Sequence, residues 1–481
     1  MLPRSPAVTS ARRSSPAVTL AVLSLAAGAY SVLSSAVIPA LPTIRTSLHA
    51  SETGVTWLLT GFLLSASVGT AIIGKLGDMY GKQRLLVWTL LILTAGTLLA
   101  ALSDSLAVLI VARVIQGVAG GIFPLSYSIA RDEFPPDRVA GSIGLMSAIL
   151  GVGGGFGLVL GGVIDEHLSW HWLFWIPLVA MALAAVCAWR FIPESKVRSP
   201  GQINWLAASL LTVGMSCLLI AIAQTTAWGW TGLPTLALLG AGVATCAAWI
   251  TVELRSSNPL IDMAMMRVRG VWTVNLAAFL VGGGLYAWFL LLPQFAQLPT
   301  STGFGYGASV VVAGLYLLPC AVGMGVLGSV AGRVERRFSS RSALIAGAAV
   351  SAVACGWLTI ASRHPYDMLF SSTLLGIGIG LAFAALGNLI VQAVPPNQTG
   401  AASGMNTVLR TLGGAVGGQI AATFVVGSTA TAGGLPSLTG FTKTFAMAAL
   451  VLITCAIAGL LIPSRTPALT PIPPVVPSET A

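Results

Sequence analysis

Apolar runs of about 20 residues recur from one end of the chain to the other, and no other feature limits its fold so strongly. A helix of that length spans about 30 Å, the hydrocarbon thickness of a bilayer. Inside lipid every backbone N–H and C=O must find its partner within the protein, so runs of this kind can only become spanning helices. Composition agrees: 56% of residues are hydrophobic and 8% charged, too few polar side chains to cover a soluble surface. A 19-residue window places runs at 17–41, 55–74, 85–102, 105–130, 139–164, 172–192, 204–224, 233–252, 271–295, 307–331, 341–361, 366–394, 400–426 and 441–462. The expected fold is therefore an all-α integral membrane protein with 14 transmembrane helices and both termini on one side.

Orientation follows from the basic residues, because basic loops resist translocation. With the N-terminus cytoplasmic, inner loops and tails hold 19 of the 24 lysines and arginines, among them Arg12, Arg13, Lys75, Lys82, Arg84, Arg267, Arg269, Arg333, Arg336 and Arg337. The outer loops hold Arg45, Arg363 and Lys443, while Arg113 and Arg410 fall inside apolar runs. A multi-pass protein of the cell inner (cytoplasmic) membrane with both termini cytoplasmic is expected. The first run is longer than the core of a cleaved signal peptide, which favours its retention as a helix.

The same scatter of charge argues against nucleic acid, since the formal +10 is not gathered on one module. All six cysteines lie in apolar runs without loop spacing, so neither a disulfide framework nor a metal site is indicated, and no cofactor is called for. Intramembrane catalysis lacks its groups: His49, His167, His171 and His364 all map to the outer face, no acid lies mid-membrane, and no enzyme is expected.

The chain also repeats. Pro135-Pro136 leads into Gly144, Gly153-Gly154 and Gly157; Pro395-Pro396 leads into Gly404, Gly413-Gly414 and Gly417, each pair 260 positions apart. The basic loop from Gly74 to Arg84 has a counterpart from Gly332 to Arg341. Runs 1–6 thus correspond to runs 9–14, related by an axis along the membrane normal, with runs 7 and 8 an inserted hairpin. The expected division is an N-terminal tail (1–16), a six-helix bundle (17–193), the inserted helices (204–253), a second six-helix bundle (271–463) and a Pro-rich cytoplasmic tail (464–481) without packed structure.

Three stretches carry a resemblance. Gly74-Lys75-Leu76-Gly77-Asp78-Met79-Tyr80-Gly81-Lys82-Gln83-Arg84 resembles the signature that the major facilitator superfamily carries between helices 2 and 3. Leu109, Arg113, Gln116 and Gly117 resemble its intramembrane Arg followed by Gln-Gly. The run Gly153-Gly154-Gly155, Gly157, Gly161-Gly162 is similar to the helix-5 motif of its antiporters, with Leu158 where that motif has proline. The inserted hairpin, Trp170 to Phe174, Glu253 to Leu260 and Gly400 to Gly418 are similar to the fourteen-helix drug:proton antiporters.

That resemblance implies a major facilitator fold of two pseudo-symmetric six-helix bundles, and alternating-access export of small lipophilic drugs or antibiotics by proton antiport, as a monomer. It gives Gly74, Asp78, Gly81, Lys82 and Arg84 the role of a conformational latch, with Asp78 capping a helix or pairing with Lys82 or Arg84. Arg113 is tied to proton coupling, and Gly153, Gly157, Gly161 and Gly162 to the antiporter motif. The subfamily's helix-1 acid is absent, since Val32-Leu33-Ser34-Ser35 precedes Ala40-Leu41-Pro42; Asp165 is the substitute proton carrier proposed from the residues. Substrate-cavity candidates are the midplane polar and aromatic residues Gln116, Asn275, Tyr286, Asn388, Gln392 and Asn406. Two mid-membrane arginines and no mid-membrane acid favour neutral, zwitterionic or weakly anionic substrates over fixed cations. Uptake or export of one endogenous metabolite, or a non-transporting sensor of the same fold, remain the alternatives.

Overall fold

A computed structural model describes residues 15–195, 197–199, 202–428 and 435–463. Both expected tails, and with them Arg12 and Arg13, lie almost wholly or wholly outside the described residues. Within them, fourteen helices are long and apolar enough to cross a membrane. They are α1 (Pro16–Ala36), α2 (Gly54–Tyr80), α3 (Lys82–Ala101), α4 (Leu106–Glu133), α5 (Pro136–His167), α6 (Trp172–Phe191) and α7 (Trp205–Ala223). The others are α8 (Leu233–Arg255), α9 (Arg269–Gln297), α10 (Val311–Phe338), α11 (Ser340–Ile360), α12 (Pro365–Ala393), α13 (Pro396–Val426) and α14 (Leu438–Gly459).

Local chemistry sets the helix ends. Ser15, Ser51, Ser309, Ser437 and Asn204 accept backbone N–H bonds as N-caps, and prolines occupy the first turns of α1, α5, α8 and α12. The expected run 17–41 divides at Val37, and Leu41–Ser47 forms a separate short helix. One expected loop is mostly helix: Gly74 to Tyr80 are the last two turns of α2, and Lys82 already begins α3. Gly81, at φ +117°, makes the whole turn alone, in a region of backbone space open to glycine.

In the first half α1 packs on α5 and α6, α2 on α4, and α3 on α6. The second half repeats the pattern, with α9 on α13 and α14, α10 on α12, and α11 on α14. The halves meet mainly at two crossings, α2 against α13 and α5 against α10, with α12 also against α5 and α4 against α13. The inserted α7 and α8 pack on each other, and α7 also touches α2 and α13, so the hairpin covers that seam from outside. Only 17% of α8's most apolar stretch is buried by protein, against 83% for α12, which places α8 toward lipid. Glu253, at the end of α8, accepts N–H bonds from Leu260 (2.8 Å) and Ile261 (3.2 Å) and fixes the connection to the second half.

Candidate functional site

The α2–α13 crossing is built by small residues and closed by one carboxylate. A Cβ on Gly74 would lie 2.3 Å from the carbonyl oxygen of Gly400, and the reverse substitution meets the same obstacle, so the two backbones touch. One turn on, the buried Asp78 carboxylate accepts the N–H groups of Gly400 (3.2 Å) and Ala401 (3.0 Å). These are N–H groups that the first turn of α13 cannot satisfy internally, and an anion there meets the positive end of the helix dipole. Arg131 of α4 reaches the same turn, donating to the Thr399 hydroxyl at 2.7 Å.

Lys82, expected as a partner of Asp78, pairs with another acid, and the backbone of Arg84 meets a third. The fully buried Lys82 ammonium pairs with Asp132 at 2.5 Å, and the Ser195 hydroxyl donates to that same carboxylate. The Glu194 carboxylate accepts the N–H groups of Gln83 (3.3 Å) and Arg84 (3.1 Å), capping α3. A Cβ at Gly81 would strike that carboxylate, a second reason for glycine at the turn. Asp132, Glu194, Arg131 and Thr399 were not legible in the sequence because each lies more than 40 residues from the segment Gly74 to Arg84 and reaches its neighbourhood only through packing.

The α5–α10 crossing repeats this geometry with other chemistry. A Cβ on Gly332 would sit 2.6 Å from the Gly141 Cα, and Ser339 takes the turn at φ +83°. Glu335 accepts from Asn388 Nδ2 at 3.0 Å and from the Ser340 hydroxyl, all within the second half. The bonds between halves come instead from Asn388 Nδ2 to the Ala140 carbonyl (3.1 Å) and from Arg336 to the Asp137 carbonyl (3.1 Å). Asn388, and Gln392 at 3.5 Å from the Ser340 oxygen, therefore lie in this cluster at the basic end.

Midway along the bundle, Arg113 is fully buried and largely wired into its surroundings. Its Nε donates to the Leu58 carbonyl (3.1 Å), Nη1 donates to Gln116 Oε1 (2.9 Å), and the guanidinium lies 4.1 Å over the Phe62 ring. Gln116 itself donates to the Gly96 carbonyl, so it serves as a strut behind the arginine. Nη2 of Arg113 is buried without a partner. Holding a cation here costs on the order of 2.5–3.5 kcal/mol on insertion scales, which these acceptors and the ring offset. Asn275 and Asn406 bond each other at 2.9 Å and tie α9 to α13. Tyr286, by contrast, keeps 45% of its surface open although it stands deep among the helices, beside Gly414 and within electrostatic reach of Arg410.

The α5 glycines form two stripes. A Cβ on Gly153, Gly157 or Gly161 would collide with Ser31, Ser35 or Ala36 of α1, whereas one on Gly155 or Gly162 would meet Ala321 or Val311 of α10. Spacing of four residues brings helices close enough for backbone contact. Leu158 leaves α5 unbroken from Pro136 to His167. Asp165, near its far end, accepts from the Thr43 hydroxyl at 3.1 Å through one oxygen, and its other oxygen is buried and unpaired. Outside the bundle core, an apolar groove of about 650 Å³ opens between α2, α3, α4 and α7, with Trp57, Trp88 and Ile110 on its walls.

Residues 23–418 match the model of the Major Facilitator Superfamily. The chain is 30% identical to the tetracenomycin C resistance and export protein of Streptomyces glaucescens over 82% of its own length and 74% of that protein's. It is 30% identical to the cephamycin export protein of Amycolatopsis lactamdurans, covering 84% of each chain. Multidrug resistance protein 3 of Bacillus subtilis is 28% identical over 75% of this chain and 70% of its own. A crystal structure of a human organic anion transporter superposes with a TM-score of 0.66 over 92% of this chain and 99% of its own, at 16% identity, a likeness of fold.

Proposed function

The chain belongs to the Major Facilitator Superfamily, and from that premise we propose that it exports small lipophilic drugs or antibiotics across the cell inner membrane by alternating access. Relatives over most of the chain that are named for antibiotic and multidrug export support this reading. The observation that carries the mechanism is the pair of crossings at the basic end, where Asp78 seals α2 onto α13. A closed basic end with a partly open Tyr286 beyond it fits a state whose cavity faces away from the basic loops. With those loops cytoplasmic, that state faces outward.

Substrate binding would stabilise the state that contacts it, and release of Asp78 from the α13 amides would let the basic end open. Protons are the driving ion in this reading, with Arg113 and Asp165 as the coupling groups and the monomer as the working unit. Asp165 is assigned the carrier role on its hydrogen bonding: one carboxylate oxygen accepts from Thr43 and the other is buried without a partner.

Everted membrane vesicles energised by a pH gradient test the proposal directly. Gradient-dependent uptake of a lipophilic dye, collapsed by a protonophore and lost in Arg113→Ala at equal membrane abundance, is expected. Vesicles containing the protein that move no dye above empty ones, in a strain whose drug susceptibility is unchanged, would leave the export reading without support.

A further inference from the structure

The two mid-membrane arginines are held in opposite ways. Arg113 has acceptors for Nε and Nη1 and a ring beneath it. Arg410 of α13 is buried to 8% exposure, yet among the described residues its guanidinium donates to no acceptor and pairs with no acid. Its face lies 4.7 Å from the Phe383 ring centre. The phenols of Tyr127 and Tyr286 lie within its electrostatic reach, and the Tyr286 ring packs against Gly414, one turn along α13 from Arg410. Of these groups, Tyr127 shares its hydroxyl with Ser147 at 2.8 Å, while Tyr286 has the open surface.

Unlike Nη2 of Arg113, no guanidinium nitrogen of Arg410 is both buried and unpaired, so its unused fork of donors is open to acceptors supplied from outside the protein. Planar guanidinium donors match a carboxylate two to two, and an adjacent phenol adds a third donor. Arg410 also stands about 17 Å along α13 from Thr399, eleven residues earlier, so the helix's own anionic cap at Asp78 is too far away to neutralise it. We infer that Arg410, with the Tyr286 hydroxyl, is the receptor for a carboxylate on the transported molecule, whose aromatic or apolar body rests on Phe383 and Tyr286. The substrate class is thus lipophilic carboxylic acids, including zwitterions. This assignment rests on the export reading for its meaning but can be tested apart from it.

The test uses a rhodamine bearing a free carboxylate and the methyl ester of the same dye, which differ in one ionisable group. Binding to the purified full-length protein in nanodiscs is measured by fluorescence anisotropy, and flux by everted vesicles. Wild type is expected to bind the acid at least about 10-fold tighter than the ester. Arg410→Gln should bring that ratio to about 1, and Arg410→Lys should keep part of it, because a point charge remains without the fork. Equal binding of acid and ester by wild type, or an unchanged ratio in a folded Arg410→Gln protein, overturns the assignment. Selective binding without gradient-driven flux of either dye keeps the Arg410 site and rejects export. Flux of both dyes at equal efficiency, with equal binding, keeps export and rejects the site. Should Arg410→Gln fail to fold, Tyr286→Phe is the second variant, expected to lower the ratio about 3-fold; no change there, together with an unchanged ratio in Arg410→Lys, also overturns it.

Discussion

The two crossings at the basic end descend from one repeated plan and have diverged in what closes them. Each has a glycine-on-glycine contact, Gly74 with Gly400 and Gly332 with Gly141, and each has a one-residue turn at positive φ, Gly81 and Ser339. In the first, a full negative charge bridges the halves onto free helix amides. In the second, the acid Glu335 stays within its own half, and carbonyls take the bridging bonds from Asn388 and Arg336. Their extent differs too. Close contacts between α5 and α10 continue past Gly151 and Gly155 to Gly162 beside Val311, whereas the close α2–α13 contacts lie at Gly74–Gly400 and Gly404–Thr70. One seam is thus packed along its length and suits a pivot, while the other is held at one end by a charge and suits a switch.

The largest effect tests whether the switch seam must touch at all. Gly74→Val places a branched side chain where the Gly400 carbonyl already lies 2.3 Å from a Cβ, so the basic end cannot close and gradient-driven flux should fall by about 100-fold or more, on the order of 3 kcal/mol. Flux in vesicles, corrected for protein abundance, reads this. Near-normal flux would mean that the α2–α13 contact is dispensable.

Charge is the next point of contrast. Asp78→Asn keeps an oxygen acceptor but removes the charge that faces the α13 amides, a loss of about 1–2 kcal/mol and so about 10-fold in flux. Glu335→Gln, which breaks no bond between halves, should cost about 3-fold or less. A Glu335→Gln protein as impaired as Asp78→Asn would erase the proposed difference between switch and pivot.

The smallest effect sharpens the likeness of the two turns. Ser339 holds φ +83°, which side chains tolerate poorly, while its hydroxyl oxygen accepts the Ser342 N–H at 3.2 Å. Ser339→Gly relieves the first and removes the second, for a net stabilisation of about 0.5–1 kcal/mol. A thermal midpoint raised by about 1–3 °C in detergent is the expected reading. A lowered midpoint would show that the hydroxyl cap outweighs the strain.

How much of this was legible in the sequence varies by residue. Hydropathy located all fourteen spanning helices, and the 260-residue repeat paired the glycines that now lie at mirrored crossings. Asp78 was recognisable as a helix cap, but the helix it caps begins more than 300 residues later. Lys82 was read with the nearest acid in sequence, although Asp132 is its partner in space. Asn388 and Gln392 looked like midplane polar groups because their run is apolar throughout, and only the rotation of α12 turns them toward Glu335 and Ser340.

Hydropathy and internal repetition were enough to place this protein in a bilayer, with fourteen helices and two repeated halves. Those properties follow from transfer free energies and from periodicity, which are sums over local composition. The tertiary structure alone decided which polar groups meet. Arg113 and Arg410 are the same residue in similarly apolar runs, and beyond Gln116, one turn along α4 from Arg113, nothing within either helix distinguishes a cation supplied with acceptors from one left without them. The rest depends on Leu58 and Phe62 around the first and on Phe383 and the tyrosines around the second, brought there by helix rotation and close packing across the fold.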